Sequence, residues 1–420
     1  MKEKDIRFIY NKDNVFSIQI YIPIGSIHEK KGKTGISHFL EHIKFRKSKN
    51  HSMDNFFNLF NKITVSNAYT TKDHTCYYLR TNDDNWKEIT EIMYELVFNT
   101  SFKNNNIETE KKIILEEKLL REPNINKYSD SDILLENSIL SNDNPYSRII
   151  IGTTKDIKSI TNKDLKKYNE QYFNDYLVVV SCGIKLKDKV KRFCLKLFPD
   201  AKNNPTKKLE NTQSFHYRMT IRNMPIQQNN IVLIFKSFSE LDNNKYYIDF
   251  IEDFLANNMT SILGRKLRFE KGYTYTVNTS NENYKHYGCF RIVVSSDKKN
   301  NIYDILNIIF DSLSNLREKG LSDANLNKFK SKYLNDLEYL FKDRDAKLDK
   351  FGNYLYYDRN FTLKKYKKII SDMNSEKLKA IFNILFDYHK MSFLLYGNFK
   401  NIKTANTKIF NIIKKNRKKF

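Results

Sequence analysis

Apolar residues follow two different spacings along this chain of 420 residues. In some segments, such as Ile302 to Leu316, they recur every third or fourth position, which predicts amphipathic helices. In others, such as Phe16 to Tyr21, they alternate with polar residues, which predicts β-strands. Because both patterns occur in each half of the chain, we expect an α+β fold in which helices pack on largely antiparallel sheets.

The pattern also repeats within the chain. Each half has a short β-rich run that ends in glycine, at 178–183 and at 393–397, and the two glycines are 214 positions apart. Before each run, five apolar positions recur at an offset of 213: Ile157, Ile160, Leu165, Tyr168 and Phe173 correspond to Ile370, Met373, Leu378, Ile381 and Phe386. We infer two structurally similar domains related by internal duplication.

The repeat sets the expected domain boundaries. We place the first domain at residues 1–201 and the second at 213–420, each of an ordinary domain size. The polar segment 202–212 lacks any apolar period and is the predicted linker. The chain ends in a basic tail, 414–419, which we interpret as a solvated, frayed end and not as a binding element.

The composition is basic, with 73 Lys and Arg against 49 Asp and Glu, a net charge of +24. This excludes a strongly anionic protein and is compatible with an acidic partner. Since Lys and Asn are frequent throughout the chain, part of the excess charge reflects codon bias. No recognisable nucleic-acid-binding motif accompanies the charge, so we expect no nucleic-acid partner.

Other features of the composition bear on the compartment. No apolar run approaches the roughly 18 residues that a membrane span needs, so we predict no membrane segment. The charged first five residues contain no apolar segment of a signal peptide, and we expect a cytoplasmic protein, with an organelle or a virion left open. Four scattered cysteines predict buried free thiols and no disulfide framework.

The first candidate for a metal-binding motif is His38-Phe39-Leu40-Glu41-His42. Because helical residues four apart share a face, His38 and His42 can bind one metal ion, with Glu41 beside them. The order of these residues is the inverse of the His-Glu-x-x-His zinc motif. Two neutral imidazoles and one carboxylate leave a position of a tetrahedral Zn²⁺ site open for water, and a second carboxylate can act as general base.

A third ligand must come from elsewhere in the chain. Glu110 and Glu117 are seven residues apart on one stripe of a predicted helix, where Glu117 has Ile113 and Leu120 as apolar neighbours. A carboxylate among apolar residues needs a partner, which makes Glu117 a ligand candidate. Glu110 is a second carboxylate that could orient a histidine. The alternative for both residues is an ordinary solvated acid on a helix.

These motifs resemble the pitrilysin and mitochondrial-processing-peptidase family of inverted-motif (HxxEH) zinc metallopeptidases, in its half-length, two-domain type. The family combines His-x-x-Glu-His with a later ligand Glu that stands seven positions after another Glu. Here 74 residues lie between His42 and Glu117, and Glu110 has the required spacing.

Further blocks carry the resemblance along most of the chain. Residues 66–78, which contain Asn67 and Ala68, resemble the family's Asn-Ala-x-Thr segment beside the metal. Residues 144–157 resemble the block that ends the first domain, and 267–275 resemble a second-domain motif that supplies Arg268 and Tyr275. The sequence departs from the family after the second histidine, because Lys47 stands where relatives commonly carry Gly.

The resemblance implies a role for each of these residues. His38, His42 and Glu117 would be the ligands of Zn²⁺, Glu41 the general base and Glu110 a supporting carboxylate. The catalytic Arg268 and Tyr275 would come from the second domain, with Tyr275 donating to the oxyanion and Arg268 holding the substrate. Asn67 and Ala68 would bind the substrate.

The implied activity is that of a zinc-dependent endopeptidase, in which zinc-bound water is activated by Glu41. Its substrates would be short or unfolded polypeptides, cleaved in an enclosed clamshell chamber of which this chain forms half. The implied partner is a second copy in a homodimer or a homologous subunit. The alternative is a catalytically silent structural or assembly subunit of the same family, but such relatives typically lose ligands, and this chain keeps His38, Glu41, His42 and Glu117.

Overall fold

The computed structural model of the chain describes residues 6–12, 14–46, 48–50, 58, 61–121, 140–202, 209, 212, 215–224, 226–296, 301–342, 344–398 and 402–418. These residues form two compact units. The first comprises the described parts of Met1–Asp130, Pro145–Asn211 and Leu348–Arg359, and the second those of Ser131–Asn144, Thr212–Lys347 and Asn360–Phe420. The predicted linker, 202–212, lies outside the described residues except at Lys202, Leu209 and Thr212.

The first unit contains a five-stranded sheet in the order β1-β5-β2-β4-β3. The pair β1–β5 is parallel and the other neighbours are antiparallel. The strands are β1 Ile6–Asn11, β2 Val15–Ile22, β3 Val65–Thr70, β4 Thr75–Asn82 and β5 Leu177–Gly183. The α-helices that precede β6 in the chain are α1 Ile36–Lys44, α2 Trp86–Phe98, α3 Asn104–Arg121, α4 Thr154–Ser159, α5 Asn162–Asn169 and α6 Lys187–Leu197.

The second unit contains a sheet with the matching order β6-β10-β7-β9-β8, and again the first pair is the parallel one. Its strands are β6 Met219–Asn223, β7 Asn229–Ser237, β8 Thr276–Asn283, β9 Gly288–Ser296 and β10 Met391–Gly397. The helices in this part of the chain are α7 Lys245–Leu255, α8 Ile302–Lys319, α9 Asp323–Leu340, α10 Arg344–Tyr357, α11 Leu363–Ser371, α12 Ser375–Leu385 and α13 Ile402–Arg417. The part of α10 from Leu348 onward belongs to the first unit. A π-helical turn spans Gly264–Glu270.

The two sheets confirm the predicted α+β class and the internal duplication. Strands β5 and β10, which are the two glycine-ending runs of the sequence, occupy the same position in the two orders. The recurring apolar positions in the helices before them are largely buried: Ile157, Ile160, Leu165, Tyr168, Ile370, Met373, Leu378 and Ile381. Burial of these positions in both units accounts for the recurrence of apolar residues there.

Two details differ from the sequence-based expectations. The segment Leu348–Arg359, inside the predicted second domain, packs in the first unit, where Asp349 accepts a hydrogen bond from Gln19 at 3.1 Å. The basic tail is helical up to Arg417, where α13 ends, and is therefore not frayed over these residues. The Arg417 side chain donates a hydrogen bond to the carbonyl of Tyr388 at 2.9 Å. Within the described residues, no helix combines the length and the apolar character needed to cross a membrane, and all four cysteines are free and buried.

A close contact between two glycines fixes the loop that leads into α1. Gly35 has φ +86° and Gly152 has φ +84°, a region that other residues rarely adopt. A Cβ on Gly35 would overlap the carbonyl of Ile151, and one on Gly152 would overlap the carbonyl of Thr34. The Thr34 hydroxyl in turn accepts from the N–H of Thr153 at 3.1 Å. The start of α1 is therefore held against the loop before α4.

We predict that Gly152→Ala lowers the free energy of unfolding by about 2–4 kcal/mol, because left-handed strain adds to overlap with the Thr34 backbone. The matched control is Gly32→Ala, since Gly32 has φ +82° but nothing within 4 Å of an added Cβ. Gly32→Ala should lower the free energy by only about 1 kcal/mol. Urea unfolding of the full chain measures both, and equal losses would contradict the importance of the glycine contact.

Candidate metal centre

The helix α1 carries His38, Glu41 and His42, and a buried carboxylate holds its first turn. Glu29 accepts hydrogen bonds from the backbone N–H groups of Gly35 at 2.8 Å and Ser37 at 3.0 Å. These are N–H groups that a helix cannot satisfy internally. Burial raises the pKa of Glu29 to about 7, although both N–H groups favour its charged form. The sequence analysis did not identify Glu29 as part of the site.

A buried lysine holds the other end of α1. The Lys44 amino group donates to the carbonyl of Val97 at 2.6 Å, the amide oxygen of Asn169 at 2.6 Å and the hydroxyl of Thr100 at 3.1 Å. Burial lowers the pKa of Lys44 well below its ordinary value. Three acceptors satisfy the three donors of an ammonium group, so the end of α1 is tied to α2 and α5.

His38, His42 and Glu117 converge, with one candidate ligand atom from each lying within 4.8 Å of the others. Glu117 Oε2 on α3 lies 3.6 Å from His38 Nε2 and 3.4 Å from His42 Nε2. Tetrahedral coordination of Zn²⁺ at ordinary bond lengths separates ligand atoms by about 3.3–3.6 Å. Two imidazoles and one carboxylate at these distances therefore fit a zinc ion.

Glu110 contacts the outer side of His42. Its Oε2 lies 3.1 Å from His42 Nδ1, and its Oε1 accepts from Arg46 Nε. Burial favours a raised pKa for Glu110, but hydrogen bonds from His42 and Arg46 hold the pKa below its ordinary value. Burial likewise favours a lowered pKa for His42, but hydrogen bonds to Glu110 and Glu117 raise it to about 9. The carboxylates thus favour positive charge at this position.

Glu41 lies at the same centre and is largely buried, with 9% exposure. Its Oε2 accepts a hydrogen bond from the Thr70 hydroxyl at 2.6 Å. Thr70 ends β3, the strand at the edge of the first sheet. A hydrogen bond from the sheet therefore orients a carboxylate carried by α1. The sequence analysis did not single out Thr70, although it belongs to the quoted segment 66–78.

The predicted substrate-binding residues lie on the same edge strand. Asn67 is exposed and Ala68 is partly exposed, and the side chain of Asn67 accepts from the N–H of Ala68 at 2.8 Å. β3 pairs with β4 on one side only among the described strands. These residues are accessible to a ligand, and their role stays a prediction.

Arg268 and Tyr275 lie together in the second unit. The Arg268 guanidinium carbon is 4.7 Å from the centre of the Tyr275 ring, a cation–π distance. Arg268 belongs to the π-helical turn, and Tyr275, which directly precedes β8, is 76% exposed. Their predicted catalytic roles stay predictions.

Comparison with known proteins identifies the family. The profile described as "Insulinase (Peptidase family M16)" matches residues 7–147, and the profile "Peptidase M16 inactive domain" matches 159–333. The chain belongs to peptidase family M16. The first match contains all the residues of the metal centre, and the second contains Arg268 and Tyr275.

Two curated proteins and one solved structure illustrate what the chain is similar to. The "Uncharacterized zinc protease YmxG" of Bacillus subtilis is 26% identical over 87% of this chain and 88% of that protein. The mitochondrial-processing peptidase subunit beta of Saccharomyces cerevisiae is 29% identical over 43% of this chain and 39% of that protein. A protease from Helicobacter pylori has the same fold, with a TM-score of 0.81 at 21% identity, covering 93% of this chain and 96% of the other.

The raised pKa of Glu29 predicts a pH-dependent stability. The folded chain keeps a proton on Glu29 up to about pH 7, whereas the unfolded chain releases it near pH 4.5. Stability therefore falls as the pH rises through this window, and Glu29 contributes about 3 kcal/mol to the fall. Glu29→Gln removes this contribution, so its free energy of unfolding should improve relative to wild type by about 3 kcal/mol between pH 4.5 and pH 8.

Urea unfolding of both proteins across this range provides the measurement. Glu91→Gln, which changes an exposed glutamate on α2, is the matched control, and its difference from wild type should stay constant. A pH-independent difference for Glu29→Gln would contradict the prediction.

Proposed function

We propose that this chain is a zinc-dependent endopeptidase whose metal ligands are His38, His42 and Glu117. The observation that carries the proposal is the convergence of two imidazole Nε2 atoms on one carboxylate oxygen, at 3.6 and 3.4 Å. M16 relatives that are named zinc proteases support both the metal and the class of reaction. When bound, Zn²⁺ supplies a Lewis acid that polarises a carbonyl and lowers the pKa of water.

Glu41 is the proposed general base. Its carboxylate removes a proton from the attacking water and transfers it to the leaving amine. Thr70 donates to one of its oxygens at 2.6 Å and so fixes the plane of the carboxylate. Burial keeps bulk water from competing for the base.

Glu110 controls the tautomer of His42 in this proposal. Its Oε2, 3.1 Å away, accepts the proton on Nδ1, which leaves the Nε2 lone pair directed towards Glu117 and the metal position. The same hydrogen bond makes the imidazole a stronger ligand, because the carboxylate increases its basicity.

The edge strand β3 is the proposed substrate site. An extended peptide can pair with an unpaired edge, and Thr70 at the end of β3 connects that edge to Glu41. Asn67 and Ala68 would contact the peptide backbone. Only an extended chain can pair in this way, so we propose short or unfolded polypeptides as substrates.

The second unit and a partner complete the proposal. We propose that Tyr275 donates a hydrogen bond to the oxyanion and that Arg268, at 4.7 Å from its ring, holds Tyr275 and the substrate. We also propose that the chain encloses a chamber as a homodimer or with a homologous subunit. The name of the yeast relative, subunit beta of a peptidase, supports an assembly of this kind.

A catalytically silent structural subunit is the alternative function. Residues 159–333 match a profile whose description contains the word "inactive". Helix α7, which lies in this range, contains no histidine that could bind a metal. The complete set of candidate ligands on α1 and α3 favours an active first unit instead.

We predict that Glu41→Gln lowers zinc-dependent peptide cleavage by roughly 10²–10⁴-fold, because it removes the base and keeps the ligands. Mass spectrometry of a library of unstructured peptides, with metal analysis of each protein, provides the measurement. Glu116→Gln, which changes an exposed acid beside Glu117, is the control and should cleave like wild type. Cleavage by Glu41→Gln at the wild-type rate would contradict the mechanism. Zinc binding without any cleavage by wild type would indicate either a missing partner subunit or the structural-subunit alternative.

We predict that Tyr275→Phe lowers kcat by roughly 10²-fold with unchanged zinc content, because it removes one oxyanion donor. Steady-state kinetics on a peptide identified in the library provides the measurement. Tyr339→Phe is the control, since Tyr339 is similarly exposed at 78% in the same unit. An equal kcat for both variants would remove Tyr275 from the mechanism.

A further inference from the structure

Arg46 follows α1 by two residues and contacts the candidate metal centre from outside. Its backbone N–H donates to the carbonyl of Ile43 at 3.1 Å, so the chain keeps a helical turn beyond Lys44. Residues 38, 42 and 46 are therefore spaced one turn apart, and the Arg46 side chain follows the two histidines along the same face. This spacing brings its Nε to Glu110 Oε1.

The two oxygens of Glu110 have different partners. Oε1 accepts from Arg46, and Oε2 faces His42 Nδ1 at 3.1 Å. The Glu110 carboxylate has only 4% exposure, so water cannot readily replace either partner. Because the carboxylate is planar, a hydrogen bond from the guanidinium to Oε1 also fixes the direction in which Oε2 points.

We propose that Arg46 is a positioning residue for the metal centre: it fixes the Glu110 carboxylate, which in turn orients the His42 ring towards the metal. This inference rests on the proposed function, since it assigns a role at the same site. In this proposal Arg46 acts through its Nε hydrogen bond to Glu110 Oε1.

Because Arg46 is charged, the direction in which its removal changes the zinc affinity tests the proposal. A cation near the site repels Zn²⁺, so removing Arg46 tightens zinc binding if only its long-range charge matters. If Arg46 positions Glu110 and His42, removing it weakens zinc binding, as is usual for groups that orient a metal ligand. The two interpretations predict changes in opposite directions.

The experiment measures the zinc affinity of the full chain by competition with a chromophoric chelator. Arg46→Met should weaken the affinity by roughly 10–100-fold. Arg46→Lys, which restores a donor to Glu110 without the rigid guanidinium plane, should recover most of the loss. Lys112→Met is the control for charge, because Lys112 is exposed on α3, and it should leave the affinity unchanged or slightly tighter.

A double-mutant cycle tests whether Arg46 acts through Glu110. In a Glu110→Gln background, Arg46→Met should change the affinity by less than about 3-fold, because the link is already broken. An affinity of Arg46→Met equal to or tighter than wild type overturns the proposal, and so does an equal loss in both backgrounds. Should Arg46→Met not fold, Arg46→Gln carries the same expectations.

Failure of this inference is distinguishable from failure of the proposed function. A wild-type chain that binds no zinc overturns both. A wild-type chain that binds zinc and cleaves peptides, with Arg46→Met at wild-type affinity, overturns only the role of Arg46. The zinc affinity is measured without substrate, so a defect in the chamber or the partner does not affect it.

Discussion

The anchoring of α1 at both ends is the constraint on which the candidate metal centre depends. This one helix carries two candidate ligands and the candidate base, so a shift of α1 moves all three together. Glu29 binds the N–H groups of the first turn, and Lys44 ties the last turn to three acceptors. Both groups are buried, and a buried polar group is stable only where its hydrogen bonds are satisfied. The packing therefore allows few alternative positions for α1.

The duplication explains how such a specialised helix fits into a fold with a repeated plan. Both units have the same sheet order and bury the recurring apolar positions, so these features do not depend on the histidines of α1. In the second unit, α7 is buried along most of its length by aromatic and aliphatic residues and has no histidine. The first unit instead buries polar side chains on α1, at a cost that Glu110, Thr70 and Glu117 offset through hydrogen bonds and ion pairs.

The sequence predicts those features that depend on local spacing. The i, i+4 histidines and the acids seven residues apart follow from helical periodicity, and the offset of 214 between β5 and β10 follows from the repeat. Contacts between distant segments leave no such pattern. The hydrogen bond from Thr70 to Glu41 and the packing of Asp349 against Gln19 depend on tertiary structure alone. The charge pattern of the basic tail predicts a frayed end, because it gives no indication of the tertiary hydrogen bond from Arg417 to the Tyr388 carbonyl.

The local charge of the metal centre is opposite to the charge of the chain. Glu41, Glu110 and Glu117 bring three carboxylates to a largely enclosed site, and Arg46 brings one guanidinium, which leaves an excess of two negative charges. Without a cation the carboxylates favour the protonated form of His42, which raises the pKa of His42 to about 9. A divalent ion held by His38, His42 and Glu117 would neutralise the same excess and take the place of that proton. The net charge of +24 therefore does not set the local field, and the arrangement of carboxylates at the site favours a cation there.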